Sequence, residues 1–470
     1  MTQLRPAQTL DEIFTTLSPE PLLTDDQFKA FYGRQINDVR GGDKTQRLRD
    51  GLIRQWGGLH YKAFLVGHPG VGKSTELTRL AQQVSNKYST IRISATAEFD
   101  PVGFRPFDVV LLMMMDVAER TAKPINEGGA GKRPPDERLR EILDWFASEE
   151  ITLTRTREKS AEAATGLGVE SDSLWAKALG LFAALKGEIK YATAREQRIV
   201  EYRLSRISSL VNTANKLLGD CNDLLRRASN REWLMVVEDF EKRGFPPGLI
   251  RDLVLNYASI FRDLRTHLVF TIPVELAFPE SSALPFPGDR VISIPDTPVY
   301  NRDHLPLGAG RDALGEILRA RVSDQLFDPG QMNRLIVASG GNIRDLFTLV
   351  VEAVEGARGR DQHATRIGES DVYGSIARLR VEYERRLGGD PYDPHPVPYD
   401  EKAKHLLSIY RQEPDSRIPD PALYSLLRAR AVLEFDGECW FGIHPLVVDI
   451  LGRQHRLDAL PDGRFPGGTE

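Results

Sequence analysis

Cysteine is almost absent from this chain. Only Cys221 and Cys439 occur in 470 residues, far apart and in unlike surroundings, which excludes a disulfide framework and a cysteine-based metal site. Long apolar runs are lacking too. The most apolar stretches, Val109 to Met115 and Trp175 to Leu185, are too short to span a bilayer. The first residues lack the charged-then-apolar pattern of a secretory signal. Neither sign of charge dominates: 62 Lys and Arg stand against 67 Asp and Glu, a formal net charge of -5. That balance excludes a global attraction to nucleic acid and leaves room for a local basic face. Hydrophobic residues make up 41% of the chain. The expectation is a cytoplasmic globular protein of two to four domains without membrane contact.

What the chain does contain starts at residues 61–66, a short apolar run suited to a buried strand. Gly67-His68-Pro69-Gly70-Val71-Gly72-Lys73-Ser74-Thr75 follows and satisfies G-x-x-x-x-G-K-[ST]. Leu77, Leu80 and Ala81 then continue with helical spacing. A glycine-rich loop between strand and helix lets backbone N–H groups point at phosphates, and the helix N-terminus adds partial positive charge. The motif therefore predicts ATP as ligand. Lys73 would reach the β- and γ-phosphates, and Ser74 would ligate Mg²⁺.

Such a site needs an acid at the tip of a neighbouring strand. Leu234-Met235-Val236-Val237-Glu238-Asp239 supplies four apolar residues and then two carboxylates. Two assignments are open. Glu238 sits behind Mg²⁺ with Asp239 polarising the water, or Asp239 faces the metal with Glu241 near the water. Far more chain separates Lys73 from Glu238 than a strand and helix need. Residues 91–95 and 105–118 fit the next strand and helix, and 123–231 read as a helical insertion. Within it Val200, Leu204, Ile207, Val211, Ala214, Leu218, Cys221 and Leu225 alternate steps of four and three, a coiled-coil-like seam. That seam packs either on its own domain or on a partner.

Further strands are expected at 267–272 and 291–294, which completes a parallel sheet covered on both faces. Residues 301–390 turn helical and read as a lid. After the proline-rich stretch from Asp390 to Pro398 come two helices and a hairpin with Asp436-Gly437 at its turn, a winged-helix pattern over 391–470. The core would comprise 1–122 and 232–300. The winged helix carries 8 Lys and Arg against 10 Asp and Glu from Pro396 to Leu460. Its hairpin has no basic residue, which weighs against tracking a DNA backbone. Arg428 and Arg430 keep DNA open.

With these residues in place the chain resembles AAA+-related ATPases, above all the initiator-like and signal-transduction (STAND-type) branches. It also resembles bacterial ATPases with GH-x-G-x-GKSTEL phosphate loops. Phe31-Tyr32-Gly33-Arg34 is similar to the F-x-G-R segment near the adenine, which makes Phe31, Tyr32 and Arg34 nucleotide contacts. Gly67 to Ser74 resembles Walker A and Leu234 to Asp239 Walker B, with Glu238 where Asp is usual. Thr271 falls at the sensor-1 position, and Gly341-Asn342-Ile343-Arg344 resembles the sensor-2 motif that brings Arg344 to the γ-phosphate. Arg290 is a candidate arginine finger toward a neighbouring subunit. The resemblance implies a P-loop NTPase α/β fold with lid and winged helix and homo-oligomers; Lys73, Ser74, the two acids and Arg344, with Glu238 in place of the usual Asp, point to slow ATP hydrolysis. It also implies a switch acting on an effector protein in bacterial defence or regulation. A DNA-engaging initiator and a module that only binds ATP are the alternatives.

Overall fold

The computed structural model describes residues 4–56, 59–101, 103–148, 174–191, 204–242, 244–277, 291–389, 396–435 and 440–457. Five apolar runs form strands β1 (Lys62–Val66), β2 (Tyr88–Ser94), β3 (Glu232–Glu238), β4 (His267–Thr271) and β5 (Val291–Ser293). They pair in parallel in the order β2-β3-β4-β1-β5. Both faces are covered, so β1, β3 and β4 are buried along their whole length and read as continuous apolar runs. Side chains still alternate. Ala63, Leu65, Leu234 and Val236 cluster with Leu48, Leu77 and Leu80 on one face, whereas Phe64, Val66, Met235 and Val237 join the larger core on the other. The strand order matters for chemistry. Leu65 pairs with Thr271 and Val237 with Phe270, so β4 stands between the phosphate loop after β1 and the acids after β3.

Helices Pro106–Ala122, Asp136–Ser148, Leu174–Lys190 and Leu204–Ser229 lie between β2 and β3 in sequence. Val211, Ala214, Leu218, Cys221 and Leu225 are buried in one cluster with Leu139, Ile142, Phe182 and the methionines of Pro106–Ala122. The described part of the seam therefore packs on this chain itself. Val200 lies outside the described residues, and only the backbone of Leu204 and Ile207 is described.

A third core joins lid and winged helix. Helices Gly308–Arg319, Gln331–Ala338, Ile343–Arg360 and Glu369–Leu387 bury their apolar faces together with Leu406, Leu426, Val432 and Leu446 of the C-terminal part. The N-terminal segment, grouped with the nucleotide core by sequence order, packs here as well: Ala7, Leu10 and Ile13 belong to this cluster, and Ala7 bridges Val322. Strands β6 (Val432–Phe435) and β7 (Trp440–Ile443) form the antiparallel hairpin. Its turn at Asp436-Gly437 and residues 390–395 of the linker lie outside the described residues. No helix among the described residues is long and apolar enough to cross a membrane.

Candidate nucleotide-binding site

The loop after β1 leads directly into helix Lys73–Gln83. Lys73 is buried, donates to the carbonyls of Gly67 at 2.8 Å and His68 at 3.2 Å, and pairs with Glu241 Oε1 at 2.8 Å. Gly70 has φ +95°, and a Cβ there would stand 2.3 Å from Asn342 Oδ1 and 2.7 Å from Arg344 Cβ. Only glycine fits where the lid meets the loop. Asn342 explains the meeting. Its Oδ1 caps the 18-residue helix Ile343–Arg360 through Asp345 N, and its Nδ2 donates to Pro69 O at 3.0 Å. The positive end of that helix thus begins at the phosphate loop. Arg344 is exposed and lines the cleft without a hydrogen-bond or ion-pair partner among the described residues.

The two sequence-predicted acids part company. Glu238 Oε1 is held by Arg92 of β2 at 2.6 Å, and Arg92 also donates to Thr78 Oγ1 at 2.6 Å. Glu238 Oε2 is buried with no protein partner among the described residues. Asp239 lines the cleft in a left-handed conformation, φ +80°, which Asp tolerates better than most residues. Its carboxylate accepts from Ser94 Oγ at 2.5 Å and pairs with Lys242 at 2.8 Å. Thr271 does not line the cleft. It is buried behind Glu241, accepts from Asp239 N at 3.0 Å and donates to Glu241 Oε2 at 2.9 Å. Glu241 itself lines the cleft beside Lys73.

The cleft measures about 530 Å³, within the range of small-molecule sites. Part of its wall is formed by Phe31, Tyr32, Ile36, Ile317, Arg321 and Phe347. Tyr32 donates to Glu76 Oε1 at 2.7 Å, and Arg79 pairs with both Glu76 and Asp43 at 2.6 Å, which fastens this wall to the phosphate-loop helix. Thr75 Oγ1 accepts from Leu22 N at 3.3 Å. Arg34 is exposed and not among the lining residues; Arg40, six residues later, reaches the cleft, as do Arg321 and Arg344 of the lid. Arg290 lies outside the described residues.

His68 turns the other way, toward the winged helix, and Pro69, which lines the cleft, offers its carbonyl to that side. His68 Nδ1 meets Asp296 Oδ2 at 2.5 Å, and Nε2 donates to Leu427 O at 3.0 Å. Both ring nitrogens are thus engaged, one by the core and one by the winged helix. Burial alone would raise the Asp296 carboxyl, but His68, Arg40 and Arg430 together hold it below the usual range. Arg430 donates to Pro69 O at 3.2 Å and pairs with Asp345 at 2.9 Å. Arg428 pairs with Glu275 at 3.2 Å, and Glu434 of β6 accepts from Ser293 Oγ of the core at 2.7 Å.

No family model and no curated protein matches the chain. Among solved structures the chain is similar to a Walker-type ATPase of Pyrococcus abyssi, at 13% identity and a TM-score of 0.41 over 93% of this chain and 99% of that one. It is similar to Cdc6p from Pyrobaculum aerophilum, at 13% and 0.33 over 94% and 98%. It is also similar to Drosophila ORC bound to DNA, at 12% and 0.32 over 90% and 78%. Scores this low leave the chemistry to this chain's own residues.

Sequence reasoning missed Arg92, Arg40, Arg321 and the docking role of His68. The three arginines lie in no motif, and the phosphate-loop motif that contains His68 says nothing of docking. Glu241 was legible only as one of two alternatives, through its spacing three residues after Glu238.

Proposed function

We propose that this chain is a Mg-ATP-dependent ATPase that works as a conformational switch, with the winged helix as the moving part. One observation carries the reading. The loop whose glycines and Lys73 would cradle phosphates is the loop whose His68 and Pro69 hold the winged helix. Nucleotide and winged helix therefore bear on the same nine residues.

The residues present fit ATP and a metal. Lys73 would exchange Glu241 for the β- and γ-phosphates, and the amides of Gly70 to Ser74 would meet phosphate oxygens. Among the described residues no cluster of three acids or histidines could hold a metal alone. A magnesium ion bound largely by phosphate and water suits that. Ser74 and Asp239 would hold it at the cleft, and Glu238 would offer Oε2, the oxygen that no group among the described residues satisfies. Such an ion neutralises charge developing on the phosphates. Glu241, oriented by Thr271 and released by Lys73, would take a proton from the attacking water as the bond between the β- and γ-phosphates breaks. Arg344 would meet the γ-phosphate from the lid, which makes lid position depend on that phosphate. Arg290 would serve a neighbouring copy.

What the winged helix engages once undocked divides two readings. One is duplex DNA, which the Drosophila ORC structure carries. The other is a protein effector, in bacterial defence or regulation. Either requires Arg428 and Arg430 to leave Glu275 and Asp345. The test measures ATP turnover together with protease protection of residues 396–457 in ATP, in ADP and without nucleotide. Nucleotide-dependent protection in wild type, absent in Lys73→Ala, is expected. ATP turnover with identical protection in all three conditions would remove the switch and leave an ATPase.

A further inference from the structure

One wall of the cleft holds a cation that no carboxylate answers among the described residues. Arg321 is 7% exposed and lines the cleft. Its guanidinium lies 4.7 Å from the centre of the Phe31 ring and 5.1 Å from that of Phe347. Nη1 donates to the carbonyls of Phe31 and Ile317, both at 3.0 Å. Among the described residues Nε and Nη2 have no hydrogen-bond partner and no carboxylate pairs with the group. Burial pushes its pKa down to about 10, with no neighbouring charge opposing the effect. The group is still a cation at neutral pH, and a buried unpaired cation is costly unless something binds it.

The surroundings say what would bind. Gly33 lies so close to helix Gly308–Arg319 that a Cβ would stand 2.7 Å from Ile317 Cγ1. The segment Phe31–Gly33 is therefore flush against the lid, and Ile36, Ile317 and Phe347 leave an apolar slot. An apolar, aromatic slot with one fixed polar group is the usual build of a base pocket. Guanidinium donates and never accepts. It reads ring nitrogens and carbonyl oxygens, as arginine does on purine edges in nucleic acids. Phosphate is the other ligand that would suit it, but Lys73 and the backbone amides of the phosphate loop already supply that chemistry.

We propose that Arg321 is the base-reading residue of this cleft, donating from Nε or Nη2 to a ring nitrogen or carbonyl oxygen on the edge of a purine. The role rests on the nucleotide-binding reading above. Carbonyls of Phe31 and Ile317 hold the fork in place, so the same residue couples base recognition to the position of the lid.

The decisive experiment starts with wild-type full-length protein and needs no mutation. Equilibrium binding is measured for ATP, its 1-deaza, 3-deaza and 7-deaza analogues, GTP, CTP and inorganic tripolyphosphate. Removal of the ring nitrogen that Arg321 reads is expected to weaken binding about 10- to 100-fold, while the other two analogues bind like ATP. Tighter binding of GTP than ATP would equally support the role, with the guanine O6 and N7 edge as the acceptor pair. Arg321→Lys and Arg321→Gln should abolish these differences and leave tripolyphosphate affinity unchanged. Equal binding of every base by wild type would overturn the role alone. Loss of tripolyphosphate binding in the variants to the same extent as ATP would also overturn it. If wild type binds no triphosphate at all, the ATP reading itself falls, and this role with it.

Discussion

Lys73 and Glu241 face each other across 2.8 Å in the cleft, and the two are expected to fail differently when changed. Lys73→Ala removes the cation that would meet the phosphates, so both ATP affinity and turnover should collapse, by about 10²–10³-fold in rate. Glu241→Gln keeps the shape and removes the proton acceptor. Turnover should fall by at least about 10²-fold while ATP still binds. Steady-state kinetics beside direct nucleotide binding separates the two, and a Glu241→Gln protein with normal turnover would return the role to Asp239. His444 gives a residue-scale prediction for pH. It is fully buried, Nδ1 accepts from Leu446 N at 3.2 Å, and Nε2 therefore carries the proton and donates to Ser339 O at 3.1 Å. Burial, with Arg430 and Arg386 against Asp345, pushes its pKa from 6.5 down to about 3. The folded chain holds it neutral while the unfolded chain takes up a proton near pH 6.5. Its contribution to stability is thus complete above that pH and is lost as pH falls toward 3. By pH 5 the loss is roughly 2 kcal/mol. Denaturant midpoints at pH 7.5 and pH 5 should converge in His444→Asn relative to wild type; parallel shifts in the two proteins would contradict this.

Helix Ile343–Arg360 is the element through which the cleft reaches the lid. Asn342 ties its first turn to Pro69, and Asp345 ties the same turn to Arg430 and, at 2.8 Å, to the hydroxyl of Tyr383. A group on this turn that senses the γ-phosphate would therefore move lid and winged helix together. Arg344 is the side chain placed to do so. Arg344→Ala should bind ADP nearly as well as wild type while losing the difference in protease protection between ATP and ADP. The seam of helix Leu204–Ser229 illustrates the reverse case. Its spacing suits a coiled coil, yet its described apolar residues are satisfied by helix Pro106–Ala122 and the sheet. Amphipathic spacing marks a face to be buried and does not say against what.

At the scale of the whole molecule, lid and winged helix share one hydrophobic core, so a fragment beginning near Asp400 would expose much of that core. Duplex binding is therefore best measured on the full chain. In the docked arrangement Arg428 and Arg430 are paired with Glu275 and Asp345, and Glu434 is buried against Ser293. Counterion release from the winged helix should contribute little in this state. Without nucleotide, the salt dependence of duplex binding should be the same for wild type and for Arg428→Ala/Arg430→Ala. Submicromolar binding in ATP that weakens steeply with salt and is lost in the double variant would favour the initiator-type reading over the protein effector.

The phosphate loop, the five strands, Glu238 with Asp239 and the terminal hairpin were legible because each is a local pattern. Glycine spacing, continuous apolar runs and an Asp-Gly turn express constraints that neighbours in sequence impose on one another. Arg92 beside Glu238 was not legible, because it follows from β2 pairing with β3 in the register Ser94 to Glu238. Nor was the service of Thr271 to Glu241, which depends on β4 standing between β1 and β3. The role of His68 depends on where Leu427, 359 residues later, comes to rest. The buried charge of Arg321 depends on the lid closing over Phe31. Charged side chains look alike in a sequence; their partners and their exposure to water are set by how strands register and domains dock, and these decided which of them could serve the cleft.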